Sequence, residues 1–520
     1  MEKSNKLCNK CIFKISERRM ITKITDLIDK AVRMVPNKVA FEEPKATITY
    51  SDLRMKSCAV ATYIIDEKIY GNIAVFVDKS INCLLASFGV LYSGCTYCIV
   101  DTKSPDNRLN SILQTLKPNC IITEKKYNER FKGIKCQVVY IDDLLQCTIK
   151  KETIDVRLNG VVDTDPAYVL FTSGSTGVPK GTVVSHRAVI AYALSVEDVF
   201  KFGQNVRFGS QTPFYFSMSV LDIYVTLLNM GTLVIIPKML FSFPVRLIEY
   251  MQDKKINTIY WVPTAFGFVT SRNAFSVGIP SELRSIMFAG EVMPVRYLNY
   301  WKQYLPGRMY ANLFGPTEVT DTCTYYIVDR DFSVEETLPI GIAFPNCKVL
   351  LLDKDDRVVS DDETEGELCV GGSFLANGYW GDKEKTGKVF CQNPANDQYP
   401  EIIYRTGDIA YYDKAGIMMY KGRKDNQIKH LGYRIELGEI ENVVGNVEGI
   451  STCACLYDKV KDRIILYYAG TIIESELEKI LRGKLVTYMI PDERIKLKNM
   501  PINANGKIDH TALRNYRKDM

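Results

Sequence analysis

The stretch Phe171-Thr-Ser-Gly-Ser-Thr-Gly-Val-Pro-Lys-Gly181 gathers the residue types that handle phosphate. Glycines such as Gly174 and Gly177 let backbone N–H groups come close to phosphate oxygens. The hydroxyls of Thr172, Ser173, Ser175 and Thr176 add donors, and Lys180 adds a positive charge. The loop directly follows the apolar run Tyr168–Leu170, which places it at the end of a strand and makes it a candidate nucleotide-triphosphate loop. Lys180 stands between Pro179 and Gly181, so the string departs from G-x-x-x-x-G-K-[ST] and argues against a P-loop ATPase or kinase. Asp408, beside Gly407, offers a carboxylate with two oxygens, although the same pattern also suits a turn residue. Lys507, in the turn Asn505-Gly-Lys-Ile-Asp509, reads in isolation as a solvated surface charge. His186 opens a helix after the phosphate loop, and His186 and His430 both read as structural. Cys8-x-x-Cys11 has zinc or redox spacing, but no second pair lies nearby to complete four ligands.

These residues need elements to hold them. From Asn72 the sequence alternates short β-branched runs with helical patterns: Ile73–Val77, Leu84–Tyr92, Cys98–Val100, Arg108–Leu116, Ile121–Thr123 and Val138–Ile141. The alternation continues through Tyr168–Phe171, Leu233–Ile236, Thr258–Val262 and Ile286–Phe288, which predicts βα units around buried, largely parallel sheet. After Gly422 a charged loop leads to an amphipathic helix from Glu436 to about Val447, then strands at Ala454–Tyr457 and Ile464–Tyr468. A second helix is expected to start at a capping box of Ser475 and Glu478. The reading is an α/β protein: an extension over 1–20, a large α/β domain over 21–424, and a small α+β domain over 425–520.

Composition narrows the class without naming a ligand. The chain has 520 residues, 46% hydrophobic and 24% charged, with 66 basic against 61 acidic side chains. Those proportions exclude disorder, collagen and small stapled scaffolds. A net charge of +5 is too dilute to point to nucleic acid or an anionic membrane as partner. Fifteen cysteines without regular pairing predict a reducing compartment. The charged first twenty residues lack a signal-peptide apolar core, and no later run would span a bilayer, so a cytoplasmic location is expected.

Ten motifs in order resemble the adenylate-forming superfamily of acyl-CoA synthetases, firefly luciferase, adenylation domains of nonribosomal peptide synthesis and D-alanyl carrier protein ligases. They are Thr49–Leu53, Tyr92–Tyr97, Thr172–Gly181, Asn312-Leu-Phe-Gly-Pro-Thr-Glu318, Gly366–Leu368, Asn377–Tyr379, Tyr404–Asp408, Gly422–Asp425, Arg434–Glu441 and Asn505–Asp509. The resemblance implies attack of a substrate carboxylate on the α-phosphate of ATP, giving an acyl-adenylate and pyrophosphate, with Mg2+ as cofactor. It implies that Phe314 stacks on adenine, Asn312 bonds its amino edge and Asp408 accepts the ribose hydroxyls. Thr317 would hold the α-phosphate and Glu318 the magnesium ion, with Tyr420 and Arg423 closing the nucleotide site. The large domain over 21–424 would bind ATP and substrate, and the small one over 425–520 would be a mobile lid. Lys507 would stabilise the charge that builds in the transition state, and Asp425 would be the hinge of the rotating lid. The segment Lys429–Arg434 aligns with the loop lining the pantetheine tunnel. No carrier segment follows residue 515, so a phosphopantetheinylated carrier protein is expected in trans.

The pattern breaks at the acyl pocket. Relatives that activate α-amino acids carry aspartate where this chain has Ser217, and a hydroxyl offers an ammonium no counter-charge. Asp321 falls on the far side of that pocket, where it suits an ammonium displaced along a β- or ω-amino acid, or else caps a turn. Met218, Leu221, Thr264, Met287, Ala289, Leu313 and Thr322 are the other expected pocket positions, mostly apolar and of a size for a small substrate. The leading expectation is an amino-acid adenylating enzyme that loads a carrier protein. An aryl or short acyl acid:coenzyme A ligase is the alternative, and a non-catalytic scaffold with the same fold is a third reading that the retained motifs oppose.

Overall fold

The computed structural model describes residues 21–174, 178–425, 427–458, 461–502 and 508–516. Lys507, Ser175, Thr176, Gly177 and the Cys8/Cys11 extension lie outside the described residues.

Two sheets of parallel core strands form the larger lobe. The first runs in the order 378–379, 180–185, 166–172, 96–99, 72–76, 120–123, 137–140; its five strands from 166–172 onward are parallel. Its strands Asn72–Phe76 and Cys120–Thr123 are buried along their whole length, as uninterrupted Val/Ile runs require when helices cover both faces. The second sheet has nine strands, parallel from Met309–Phe314 across to Val39–Glu43 and antiparallel at both edges. The expected alternation therefore matches the observed elements to within a few residues as far as Phe288.

It stops after the parallel strand Met309–Phe314. Residues 347–423 build a six-stranded sheet whose pairings are all antiparallel. The strand Ile402–Tyr412 alternates buried and half-exposed positions along much of its length, whereas the central strand Gly366–Gly372 is buried up to its last residue. A single βα-layered body thus describes only the first part of the large lobe.

The packed interior falls into separate cores. The largest draws on residues from Ile24 to Met418, while two others use only residues from Ile428 to Leu513. In the second lobe a hairpin of Gln427–His430 and Tyr433–Glu436 leads into the helix Leu437–Gly445. A sheet follows, of Ile450–Asp458, Arg463–Gly470 and Glu493–Lys496. The helix expected to begin at a Ser475 cap instead spans Glu474–Lys484, with Ile473 as its N-cap and no side-chain cap bond. Glu474 and Glu476 complement its N-terminal dipole, and Glu478 is drawn away from a capping role by Arg482 at 2.6 Å and Arg494 at 3.2 Å. All thirteen cysteines of the described residues are free thiols. Among the described residues no helix is long and apolar enough to cross a membrane.

Candidate functional site

The phosphate-loop string is the turn of an antiparallel hairpin. Strand Pro166–Thr172 pairs with Lys180–Ser185, and Thr172 sits opposite Lys180. Chain approach at this turn is close: a Cβ on Gly174 would lie 2.0 Å from the Val178 carbonyl oxygen. Among the described residues the buried Thr172 hydroxyl has no hydrogen-bond partner, which fits a loop built to bond an anion. Ser185 caps the next helix by accepting the Ala188 N–H at 3.2 Å. His186, first in that helix, accepts the Ile24 N–H at 3.3 Å, and burial lowers its pKa to about 4. A neutral, buried, bonded imidazole of this kind is structural.

The hairpin turns Lys180 towards Glu318. Glu318 is fully buried and meets three groups: Lys180 at 3.0 Å, Arg434 at 2.6 Å and the Tyr379 hydroxyl at 2.7 Å. Burial alone would raise its carboxyl, yet Arg434 and Lys180 together hold it well below the usual carboxylate range. Thr317, next in the chain, donates to the Ser217 hydroxyl at 3.3 Å.

On the neighbouring wall, strand Met309–Phe314 carries Asn312, whose amide donates to the Pro339 carbonyl at 2.7 Å, so the plane of the amide is set. Phe314 lies 5.4 Å from the Tyr420 ring, and the Lys429 ammonium stands 4.5 Å over its centroid. Asp408 and Arg423 are cross-strand partners 3.1 Å apart. Arg423 also bonds both Asp425 oxygens, at 2.6 and 2.7 Å. Lys429 and Arg434 come from the second lobe, so its hairpin Gln427–Glu436 reaches into the site.

One cleft gathers part of this set, while Lys180, Asn312, Phe314, Glu318 and Tyr420 lie behind or beside its lining residues. Its lining includes Thr172, Ser173, Ser217, Met218, Ala289, Thr317, Asp321, Thr322, Asp408 and Arg423. Four cations, Arg108, Arg423, Lys429 and Arg434, face two carboxylates, Asp321 and Asp408. A surplus of positive charge is what a polyphosphate and a pentavalent transition state need. The remaining expected pocket positions are Leu221, Met287, Leu313 and Thr264. Leu221, Met287 and Leu313 are buried in the large core and are not part of the lining. Met287 is in register with Tyr260 on the adjacent strand, but of the two only Tyr260 reaches the cleft. Thr264 turns away to bond Glu291, at 2.9 and 2.7 Å.

Asp321 is the unusual group of this cleft. It is 2% exposed and accepts bonds from Tyr192 at 2.8 Å and Tyr260 at 3.1 Å. Burial lifts its pKa to about 7, against the downward pull of the two hydroxyls and of Lys429. Thr322 shares the Tyr192 hydroxyl at 2.8 Å. Sequence reading passed over Tyr192, Tyr260, Arg108, Glu291 and Tyr488. Nothing local marks them, because each is defined by a partner distant in sequence.

Residues 28–380 match the family model described as AMP-binding enzyme. The chain is 31% identical over 507 residues to the D-alanine–D-alanyl carrier protein ligase of Lactiplantibacillus plantarum (strain ATCC BAA-793 / NCIMB 8826 / WCFS1), covering 94% of this chain and 98% of that protein. It is also 31% identical over 496 residues to the L-proline–[L-prolyl-carrier protein] ligase of Streptomyces coelicolor (strain ATCC BAA-471 / A3(2) / M145), covering 90% and 91%. In fold it is similar to the Vibrio cholerae adenylation domain AlmE in complex with glycyl-adenosine-5'-phosphate, with a TM-score of 0.82 at 20% identity over 97% and 99% of the two chains. The chain belongs to the AMP-binding enzyme family, and it is an ATP-dependent ligase of the adenylate-forming class.

Proposed function

We propose that this enzyme adenylates a small amino acid whose ammonium lies beyond the α-carbon and then transfers the acyl group to the phosphopantetheine thiol of a separate carrier protein. The observation that carries this reading is Asp321: a buried carboxylate on the cleft wall, held by two tyrosine hydroxyls, with the neutral Ser217 where α-amino-acid enzymes carry aspartate. An ammonium brought beside Asp321 meets the one unpaired carboxylate of the acyl side of the cleft among the described residues, since Asp408 already pairs with Arg423. Relatives named as carrier protein ligases support the acceptor, and the D-alanyl enzyme matched over nearly its whole length supports a carrier acting in trans.

In this reading ATP takes the cation-rich side of the cleft: Phe314 and Tyr420 flank adenine, Asn312 fixes its edge, Asp408 holds the ribose, and Thr172, Ser173 and Gly174 approach the phosphates together with Ser175, Thr176, Gly177 and Lys180. Glu318 is ionised and buried, which fits a single-carboxylate magnesium ligand, and Mg2+ would supply charge neutralisation at the phosphates. Arg434 and Lys180 both pair with that carboxylate in the present arrangement, so Glu318 would hold a magnesium ion only once Arg434 has withdrawn. The division into 21–424 and 425–520, with the hinge at Asp425 and Lys507 entering for adenylation, completes the proposal.

Substrate-dependent ATP–pyrophosphate exchange across α-, β- and ω-amino acids and aryl acids tests it, followed by thioester formation on a holo carrier protein or on coenzyme A. Preference for an uncharged aryl or acyl acid, with transfer to free coenzyme A, would move the assignment to an acid:coenzyme A ligase.

A further inference from the structure

Glu291 follows Gly290 in the loop after strand Ser285–Phe288 and belongs to the large lobe. It is locked in place there, because Thr264 donates to its carboxylate from both its backbone N–H, at 2.9 Å, and its hydroxyl. Its remaining bond crosses to the other lobe: Oε1 accepts the backbone N–H of Gly432, at the tip of the hairpin that enters the cleft.

That tip fits tightly. Gly432 has φ +79°, and a Cβ there would lie 2.6 Å from Val262 Cγ1. Leu431 before it is also left-handed, at φ +52°. On one side Tyr433 stacks 3.5 Å from Tyr488 and meets Phe216 edge-on at 4.8 Å. On the other, His430 bonds Asp462 at 3.0 Å, and the same carboxylate takes the Tyr457 hydroxyl. The second lobe therefore braces the turn from behind, and Arg434 reaches Glu318 just beyond it. Without Glu291 the Gly432 N–H would lose its acceptor in a half-buried, closely packed place. The Thr264 bonds lie within the large lobe and are independent of how the lobes are oriented. Only the Gly432 bond requires the hairpin to be inserted.

We infer that Glu291 is a positioning residue for the thioester step, a latch on the large lobe that holds the inserted hairpin by the Gly432 N–H. The inference rests on the two-step function proposed above. Adenylation, which calls for the lobe orientation that brings Lys507 in, does not use the latch; transfer does.

The test uses the full-length chain with its preferred acid, and measures pyrophosphate exchange separately from transfer of preformed acyl-adenylate to a phosphopantetheine thiol. Glu291→Ala should leave exchange within about twofold of wild type and slow transfer by about tenfold or more, the effect of losing one hydrogen bond to a charged group. Glu291→Gln keeps an acceptor and should recover most of the transfer rate. Gly432→Ala, which alters the opposite partner, should reproduce the selective loss if Glu291→Ala fails to fold. A parallel fall in both half-reactions would show a merely structural carboxylate and overturn the inference. So would normal transfer in both Glu291→Ala and Gly432→Ala. A wild type that adenylates but forms no thioester on any thiol overturns the proposed function itself, and this inference with it.

Discussion

Asp321 is a carboxylate whose ionisation state is set by its surroundings. With a pKa of about 7 it is half protonated near neutrality, and a cationic substrate would bind the ionised form. The kcat/KM for such a substrate should therefore rise as pH climbs through about 7, and Asp321→Asn should remove that rise. The same substitution should cost about 2–5 kcal/mol of transition-state stabilisation with the best amino acid, the range for stranding a buried charge. Full activity in Asp321→Asn would sink the idea. Stability moves the opposite way: the folded value of about 7 exceeds the ordinary 3.8, so this group's contribution is fully present below pH ~4 and is lost as pH rises through 7. Ser217→Asp should recruit measurable exchange activity with small α-amino acids by placing a carboxylate near Thr317.

At the scale of the element, the hairpin 166–185 sets both ends of the glycine-rich loop. Its two strands are in register up to Thr172 and Lys180, and the turn closes where Gly174 passes the Val178 carbonyl. Gly174→Ala cannot be accommodated without shifting that backbone. A raised KM for ATP, with a melting temperature close to wild type, is the expected result, and steady-state kinetics with ATP varied would check it. Unchanged ATP dependence would mean that the turn does not hold the nucleotide. Lys180 is itself the first residue of the returning strand, so it follows Pro179 in a β-hairpin and does not open a helix as in a Gly-Lys-Ser string.

Across the whole molecule, two lobes with separate cores share one cleft, and the second lobe supplies Lys429 and Arg434 to it. This arrangement pairs Arg434 with Glu318 at 2.6 Å, and the proposed cycle assigns it to the thioester step. Two variants should separate the half-reactions. Lys507→Ala is expected to abolish pyrophosphate exchange while sparing transfer from a supplied acyl-adenylate. Asp425→Pro, which fixes φ at the hinge, should chiefly impair transfer. Equal loss of both steps in Lys507→Ala, or intact transfer in Asp425→Pro, would count against rotation of the lobes.

Element order was legible as far as Phe288 because strand periodicity is a local property, and the reaction class was legible through the resemblance that local motifs such as Thr172–Gly181 and Asn312–Glu318 carry. The antiparallel sheet of 347–423 was not, since its strands announce no pairing partner. The acyl pocket was legible only in part. Ser217, Met218, Ala289, Asp321 and Thr322 line the cleft, while Leu221, Met287 and Leu313 are buried in the large core, a matter of packing that no spacing rule records. Tertiary structure alone brought Arg434 to Glu318 across 116 residues, Tyr192 and Tyr260 to Asp321, and Gly432 to Glu291. Each of those contacts joins segments whose separation in sequence says nothing of their distance, and the charges involved acquire their strength from burial, which exists only once the lobes have packed.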